Sequence, residues 1–322
     1  VVAPGTTQPV QTPAVRVDTN QDLERREIFL EEEGPGRVVE TTQAVGQAEI
    51  ALRGRFYGAK PELLKENLKT YVKNTYDSEV INRAEVGEAM DLTTPFKLVL
   101  EASKAGRATT TMTDARVALN PWPLVSTLNQ GLQPGEPEPG AEPEASAGAE
   151  KGTRPRRTDL QFLHPWSAAM TWVIHPPKGY SAEALPEGRE LAFGPAKLAM
   201  QWHSLPDGSV EAVYRFECAQ TRWTPKEVET ARAALKTFGE ESSPVVLFQE
   251  TGEAHLLAGR FREAAEAFRA VAAAEPKAFR PWLRLAKVQL QAGLGEAARE
   301  SLRRAISLAP EREEGHRQLG WV

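Results

Sequence analysis

The chain has 322 residues, 41% hydrophobic and 26% charged, with a formal net charge of -5. That length accommodates roughly two or three domains, and the composition is that of a globular protein. The mild acidity, with no Lys/Arg cluster interleaved with aromatics, excludes a nucleic-acid footprint; no apolar run reaches the roughly 18 residues of a membrane span, and a lone cysteine, Cys218, excludes an internal disulfide.

The start, Val1-Val2-Ala3-Pro4, has no Met, charged leader or apolar signal core and reads as an internal cut. Residues 1–16 carry Pro4, Pro9 and Pro13 and read as an extended lead-in. Residues 17–130 read as a first β-rich module with one helix. Strands at 27–31 and 37–42 flank the turn Glu33-Gly34-Pro35-Gly36, and Glu31, Glu32 and Glu33 read as a solvated strand end. Pro61 opens a helix in which Leu64, Leu68, Tyr71 and Val72 recur at helical spacing, ending near Asp77. A second hairpin, 96–101 and 107–112, turns through residues 104–107, and Asn120-Pro121-Trp122-Pro123 closes the block.

Residues 131–157 are rich in Pro, Gly and Glu, with no large apolar residue after Leu132, and read as a flexible acidic linker or loop. Residues 158–240 read as a second β-rich module. Its strands are 170–174 and the pair 196–203 and 210–218, joined by the turn Leu205-Pro206-Asp207-Gly208. Thr224, Pro225 and Glu227 start a helix as a capping box, with Val228, Ala231, Leu235 and Phe238 as its apolar stripe. This helix is expected to cap one end of the C-terminal region.

In residues 244–322 the sequence echoes itself. Trp282, Leu285, Gly293, Ala298, Leu302, Ala305 and Pro310 fall 34 residues after Phe248, Thr251, Gly259, Ala264, Phe268, Val271 and Pro276, and Leu319-Gly320 begin a third copy. The period and the small residues resemble tetratricopeptide repeats, stacked helical hairpins that bind proteins. The expected fold is therefore multidomain: β-rich, with antiparallel sandwich-like modules and accessory helices, followed by an all-α hairpin array. In the repeat register, the inner face of each first helix holds Gln249, Glu253, Arg280, Arg284, Lys287 and Arg317. Its basic balance favours an acidic peptide or a C-terminal carboxylate as partner, with other subunits of a larger assembly as further neighbours.

No catalytic, cofactor or metal residue is assigned. Cys218 lies in an expected strand, and beyond it the chain has His255 and His316 but no Asp or Asn to complete a nucleophile–His–Asp/Asn order. His164, His175, His203, His255 and His316 lack metal-ligand spacing.

The order of β block, Pro61 helix, β block and Pro-rich loop, then Arg157-Thr158-Asp159-Leu160 and Ile174-His175-Pro176-Pro177-Lys178-Gly179-Tyr180, resembles the region after the catalytic core of large bacterial transglutaminase-like (papain-fold) multidomain proteins with C-terminal tetratricopeptide repeats. The resemblance implies a non-catalytic scaffold or interaction portion of such a protein. Its alternative is a set of accessory domains that position substrate for a cysteine protease or amidase core lying upstream or on another subunit. It also implies a periplasmic or cell-surface location. The family's catalytic Cys, His and Asp match no residue here.

Overall fold

The computed structural model describes residues 14–111, 113–133 and 156–321. The expected lead-in up to residue 13 and most of the acidic segment, 134–155, lie outside the described residues. The first part of the chain forms strands β1 (Gln21–Phe29) and β2 (Gly34–Val45), helices α1 (Gln47–Phe56) and α2 (Pro61–Tyr76), strands β3 (Val80–Val86), β4 (Lys97–Thr110) and β5 (Asp114–Ala118), and helix α3 (Trp122–Leu132). After the acidic segment come β6 (Leu160–Gln161), β7 (Trp166–His175), β8 (Tyr180–Ala182), β9 (Arg189–Phe193), β10 (Ala196–Ser204), β11 (Val210–Cys218) and β12 (Arg222–Trp223), then α4 (Pro225–Glu240) and β13 (Val245–Glu250). Helices α5 (Thr251–Leu257), α6 (Phe261–Ala274), α7 (Phe279–Gln291), α8 (Gly295–Leu308) and α9 (Glu313–Leu319) complete the described chain.

A β-rich body is thus followed by helical hairpins, as the sequence indicates. The body departs from expectation in one respect: its two β segments share one sheet. Eleven strands form a single curled sheet in the order β8-β13-β5-β4-β2-β1-β7-β11-β10-β9, with β3 added on β4. The seam is a parallel pairing of β1 with β7, in register from Gln21↔Ser167 to Phe29↔His175. The other pairings in this sheet are antiparallel. One apolar core spans both segments, from Ile28, Val38 and Leu100 to Trp172, Tyr214 and Phe248. Parallel partners far apart in sequence leave no local turn signal, so the chain reads naturally as two modules.

Local chemistry explains the helices that cover this core. Pro61 occupies the first turn of α2, and Asp77 ends the helix in the left-handed conformation at φ 54°. The capping box of α4 forms: the Glu227 N–H donates to Thr224 Oγ1 at 3.3 Å, and the Thr224 N–H donates to Glu227 Oε2 at 2.7 Å. Helix α4 packs on β9 and α3, with Phe238 beside Trp122 and Phe193. It therefore seals the sheet's core and does not cap the repeats, because its apolar stripe Val228, Ala231 and Leu235 belongs to that core.

Beneath α2 the core holds charge. Arg26 on β1 stands opposite Glu40 on β2, with side-chain exposures of 6% and 3% and an N···O separation of 3.6 Å. Arg26 also pairs with Glu24. From α2, the Tyr71 hydroxyl donates to Glu40 Oε2 at 2.7 Å and the Tyr76 hydroxyl donates to the same oxygen. The guanidinium lies 5.3 Å from the Tyr76 ring centroid and 5.9 Å from that of Trp172. Deleting one partner of such a buried pair costs about 3–5 kcal/mol, because a charge is left without compensation.

One guanidinium serves two carboxylates here. Burial, and then the charge of Glu40, push the Glu24 carboxyl from 4.5 up to about 7, against the pull of Arg26. A carboxyl that binds its proton more tightly folded than unfolded contributes its full stability below 4.5, and that contribution drains away as pH rises through 7. The Glu24→Gln variant mimics the protonated form. Its urea midpoint is expected to gain on the wild type as pH is raised from about 5 to about 8. Parallel midpoint-versus-pH curves would show that Glu24 does not carry this proton.

Candidate functional site

The site is where the helical hairpins meet the sheet. The repeat echo predicts a helix running through Phe248, but the chain there is β13, which pairs with β5 through Val245↔Ala118 to Gln249↔Asp114 and with β8 through Phe248↔Ala182 to Glu250↔Tyr180. Phe248 is fully buried in the sheet's core. The strand passes directly into α5 at Thr251. The Glu250 carboxylate, almost fully buried, caps the new helix by accepting the Glu253 N–H at 2.6 Å. Burial holds the Glu250 carboxyl above its ordinary range, opposed by the N–H bond from Glu253 and the charge of Arg284.

The residues of the resemblance motif build the other side of this junction. Gly179 has φ +86°, and its backbone carbonyl accepts the Thr251 N–H at 2.7 Å. A Cβ there would lie 2.6 Å from Val271 Cγ2 on α6. Tyr180 is buried, and its hydroxyl donates to the Thr111 carbonyl at 2.9 Å. Gly252 is equally constrained, since a Cβ would meet the Phe268 ring at 2.6 Å. Small residues at these points let α5 and α6 close on the sheet.

Beyond the junction the hairpins follow the echo. Gly259 and Gly293 end α5 and α7 at φ 71° and 74°, with the Arg260 N–H donating to the His255 carbonyl at 2.8 Å and the Leu294 N–H donating to the Gln289 carbonyl at 2.7 Å. Ala264 and Ala298 are fully buried at the helix crossings. A buried hydrogen bond from Ser301 Oγ to Gln289 Oε1, 2.8 Å, joins α8 to α7.

The six residues of the expected groove are distributed unevenly. Gln249 lies on β13 between Asp114 and Ser181, so it is a sheet residue. Glu253 is half-buried on α5. Arg280 and Arg284 face the β body. Arg280 forms an ion pair with Glu33 of the β1–β2 turn, and Arg284 lines the junction with Tyr180 and Glu250. Lys287 is half-buried further along α7, and Arg317 is exposed on α9. The sequence did not reveal Arg312, which stacks over the Phe279 ring at 5.1 Å. Burial, then the charges of Arg312 and Arg284, hold the Arg280 guanidinium below its usual value.

Opposite this basic cluster stands the acidic strand end Glu31, Glu32 and Glu33, which is exposed to solvent and gives Glu33 to the ion pair with Arg280. A cleft of about 1100 Å³ runs between Glu31, Glu32 and Glu33 on one side and Glu275, Arg280 and Arg312 on the other. Burial and a hydrogen bond with Glu32 raise the Glu275 carboxyl to about 7, with Lys178 opposing. The chain's own acidic turn thus answers part of this basic cluster.

Cys218 is fully buried, and burial pushes its thiol up to about 12. It packs as a small apolar side chain, with Sγ 3.6 Å from the Gln220 carbonyl. Among the described residues no cluster of three or more His, Cys, Asp or Glu is arranged to hold a metal ion, and no helix is long and apolar enough to cross a membrane.

Residues 255–319 match the tetratricopeptide repeat family. These repeats are protein-interaction modules, so the C-terminal region points to a protein partner. No curated protein matches the chain. Among solved structures, a proposed protease from Parabacteroides distasonis aligns with 44% of this chain at 12% identity and a TM-score of 0.29; the alignment spans 24% of that protein.

Gly179 offers a direct probe of how tightly the tetratricopeptide hairpins sit on the sheet. The Gly179→Ala variant must hold a left-handed backbone and displace Val271, and is expected to lose roughly 1–3 kcal/mol in urea unfolding. Val271→Ala in the same chain should restore part of that loss through a favourable coupling. A Gly179→Ala variant as stable as the parent would show that the contact is loose.

Proposed function

We infer that this chain is a non-catalytic scaffold, an interaction portion of a larger bacterial protein that binds a partner protein through its tetratricopeptide hairpins. The observation that supports it most is the basic run Arg280, Arg284 and Lys287 along α7. Arg280 and Arg284 are engaged by the chain's own Glu33, Tyr180 and Glu250, while Lys287 lies further along α7 and Arg317 is exposed on α9, whose first turn holds Glu313 and Glu314. An acidic peptide or a C-terminal carboxylate fits that remaining face, since Arg and Lys bind carboxylates through charge-assisted hydrogen bonds. The transglutaminase-like parent and the periplasmic or cell-surface location rest on the resemblance carried by residues 174–180.

The whole chain is required for the test, because β13 belongs to the sheet. A fluorescent peptide of alternating Glu and Ser ending in a free carboxylate should bind, and Lys287→Glu together with Arg317→Glu should weaken it at least tenfold. Binding that survives both substitutions would show that the basic face is not the docking surface.

A further inference from the structure

The sheet has an open edge far from the hairpins. Among the described residues β3 pairs with β4 alone, and residues 82–85 are exposed. Its other side faces a groove of about 640 Å³ beneath the first half of α2. Helix α2 seals onto the core through Val72 and Tyr76, but its earlier turns stand away from the sheet, leaving Leu64 and Leu68 half-buried above half-buried Ile81 and Val86. Ala84 and Val86 stand opposite the buried Leu100 and Leu98 of β4, so the groove floor continues the core face out to the edge.

Edge strands are usually blunted by bulges and charges. Here the register shift falls between Ile81 and Arg83, and the charge of Arg83, which lines the groove, is answered by its ion pair with Glu85 on the same strand. Residues 83–86 therefore keep a regular, unpaired edge beside an apolar slot.

The rim supplies the charge. Lys65 and Lys69 line the groove, are exposed, and have no carboxylate at ion-pair distance among the described residues, whereas Lys73 is held by Asp77 and Glu79. Four residues of helix advance about 6 Å, close to the roughly 6.7 Å between alternate residues of a strand. Carboxylates two apart on one face of an added strand match the two lysines in spacing and sign.

We propose that the β3 edge is a docking site for an extended acidic segment of a partner protein. The segment adds a strand to the sheet, sets two Asp or Glu residues, two apart on its groove-facing side, against Lys65 and Lys69, and packs the neighbouring apolar residues of that side into the groove. Main-chain hydrogen bonds give the affinity and the groove gives the selectivity, as in other strand-addition complexes. The proposal is independent of the hairpins.

The probe is the fluorescein-labelled peptide Thr-Val-Thr-Val-Thr-Glu-Thr-Glu, with a control in which both Glu are Lys. It is added to the full chain and followed by anisotropy and by hydrogen exchange. The acidic probe should bind and slow exchange of the amides of residues 80–86. Lys65→Glu with Lys69→Glu, both at exposed positions, should weaken it at least tenfold and turn preference toward the Lys control. No binding at millimolar probe, equal affinity for both peptides in the parent, or protection that falls on α5–α9 instead would overturn the proposal. So would protection of residues 80–86 that grows with protein concentration in the absence of peptide, since the occupant would then be a second copy.

Discussion

The passage of β13 into α5 is the constraint on which the rest of the molecule depends. Five of its residues pair with β5 and three with β8, Phe248 and Gln249 with both, and the residue after Glu250 begins the first hairpin. A strand hydrogen-bonded on both edges cannot rotate or slide, so α5 leaves the sheet in a fixed direction. The Glu250 carboxylate at the helix start and the Gly179 carbonyl on Thr251 hold that direction. The tetratricopeptide stack, which ordinarily needs about three repeats or a cap, here takes the sheet as its first layer.

Charge reinforces this geometry without supplying most of its strength. The Arg280–Glu33 pair is partly exposed, at 28% and 45%, and such pairs contribute about 0–1 kcal/mol. Its effect is on orientation and on what the groove can accept: the acidic turn occupies the part of the basic face nearest the body. The Arg26, Glu24 and Glu40 cluster is different in kind. It is buried, tied to two tyrosines of α2, and costly to break. It fixes the second half of α2 on the sheet, while the first half stands clear over the β3 edge.

Much of the fold is legible in the sequence, and the failures have identifiable causes. Pro61, the Thr224 capping box, the Pro206-Asp207-Gly208 turn and the repeat glycines act within a few residues, and each forms as read. The parallel β1–β7 seam could not be read, because its partners lie about 145 residues apart and carry no turn between them. Helix α3 was missed because Pro121 and Pro123 read as a stop, whereas they sit in and just before the first turn, where proline is tolerated. β13 was missed because the echo overrode local propensity. Val245, Val246 and Phe248 are strong strand formers, and that run of β-branched and aromatic residues is the signal that would have found the strand. Gln249 was lost from the groove for that reason. Arg280 and Arg284 turn toward the β body, and the residues that answer them, Glu33 and Glu250, could be seen only once the sheet was closed.

The central claim is that sheet and hairpins form one cooperative unit through β13. Native-state hydrogen exchange across a urea series tests it most directly. If the unit is cooperative, slow amides of β7, β13 and α7 converge on one free energy and one urea dependence. Exchange of α5–α9 through a separate opening at lower free energy, with β7 still protected, would contradict it.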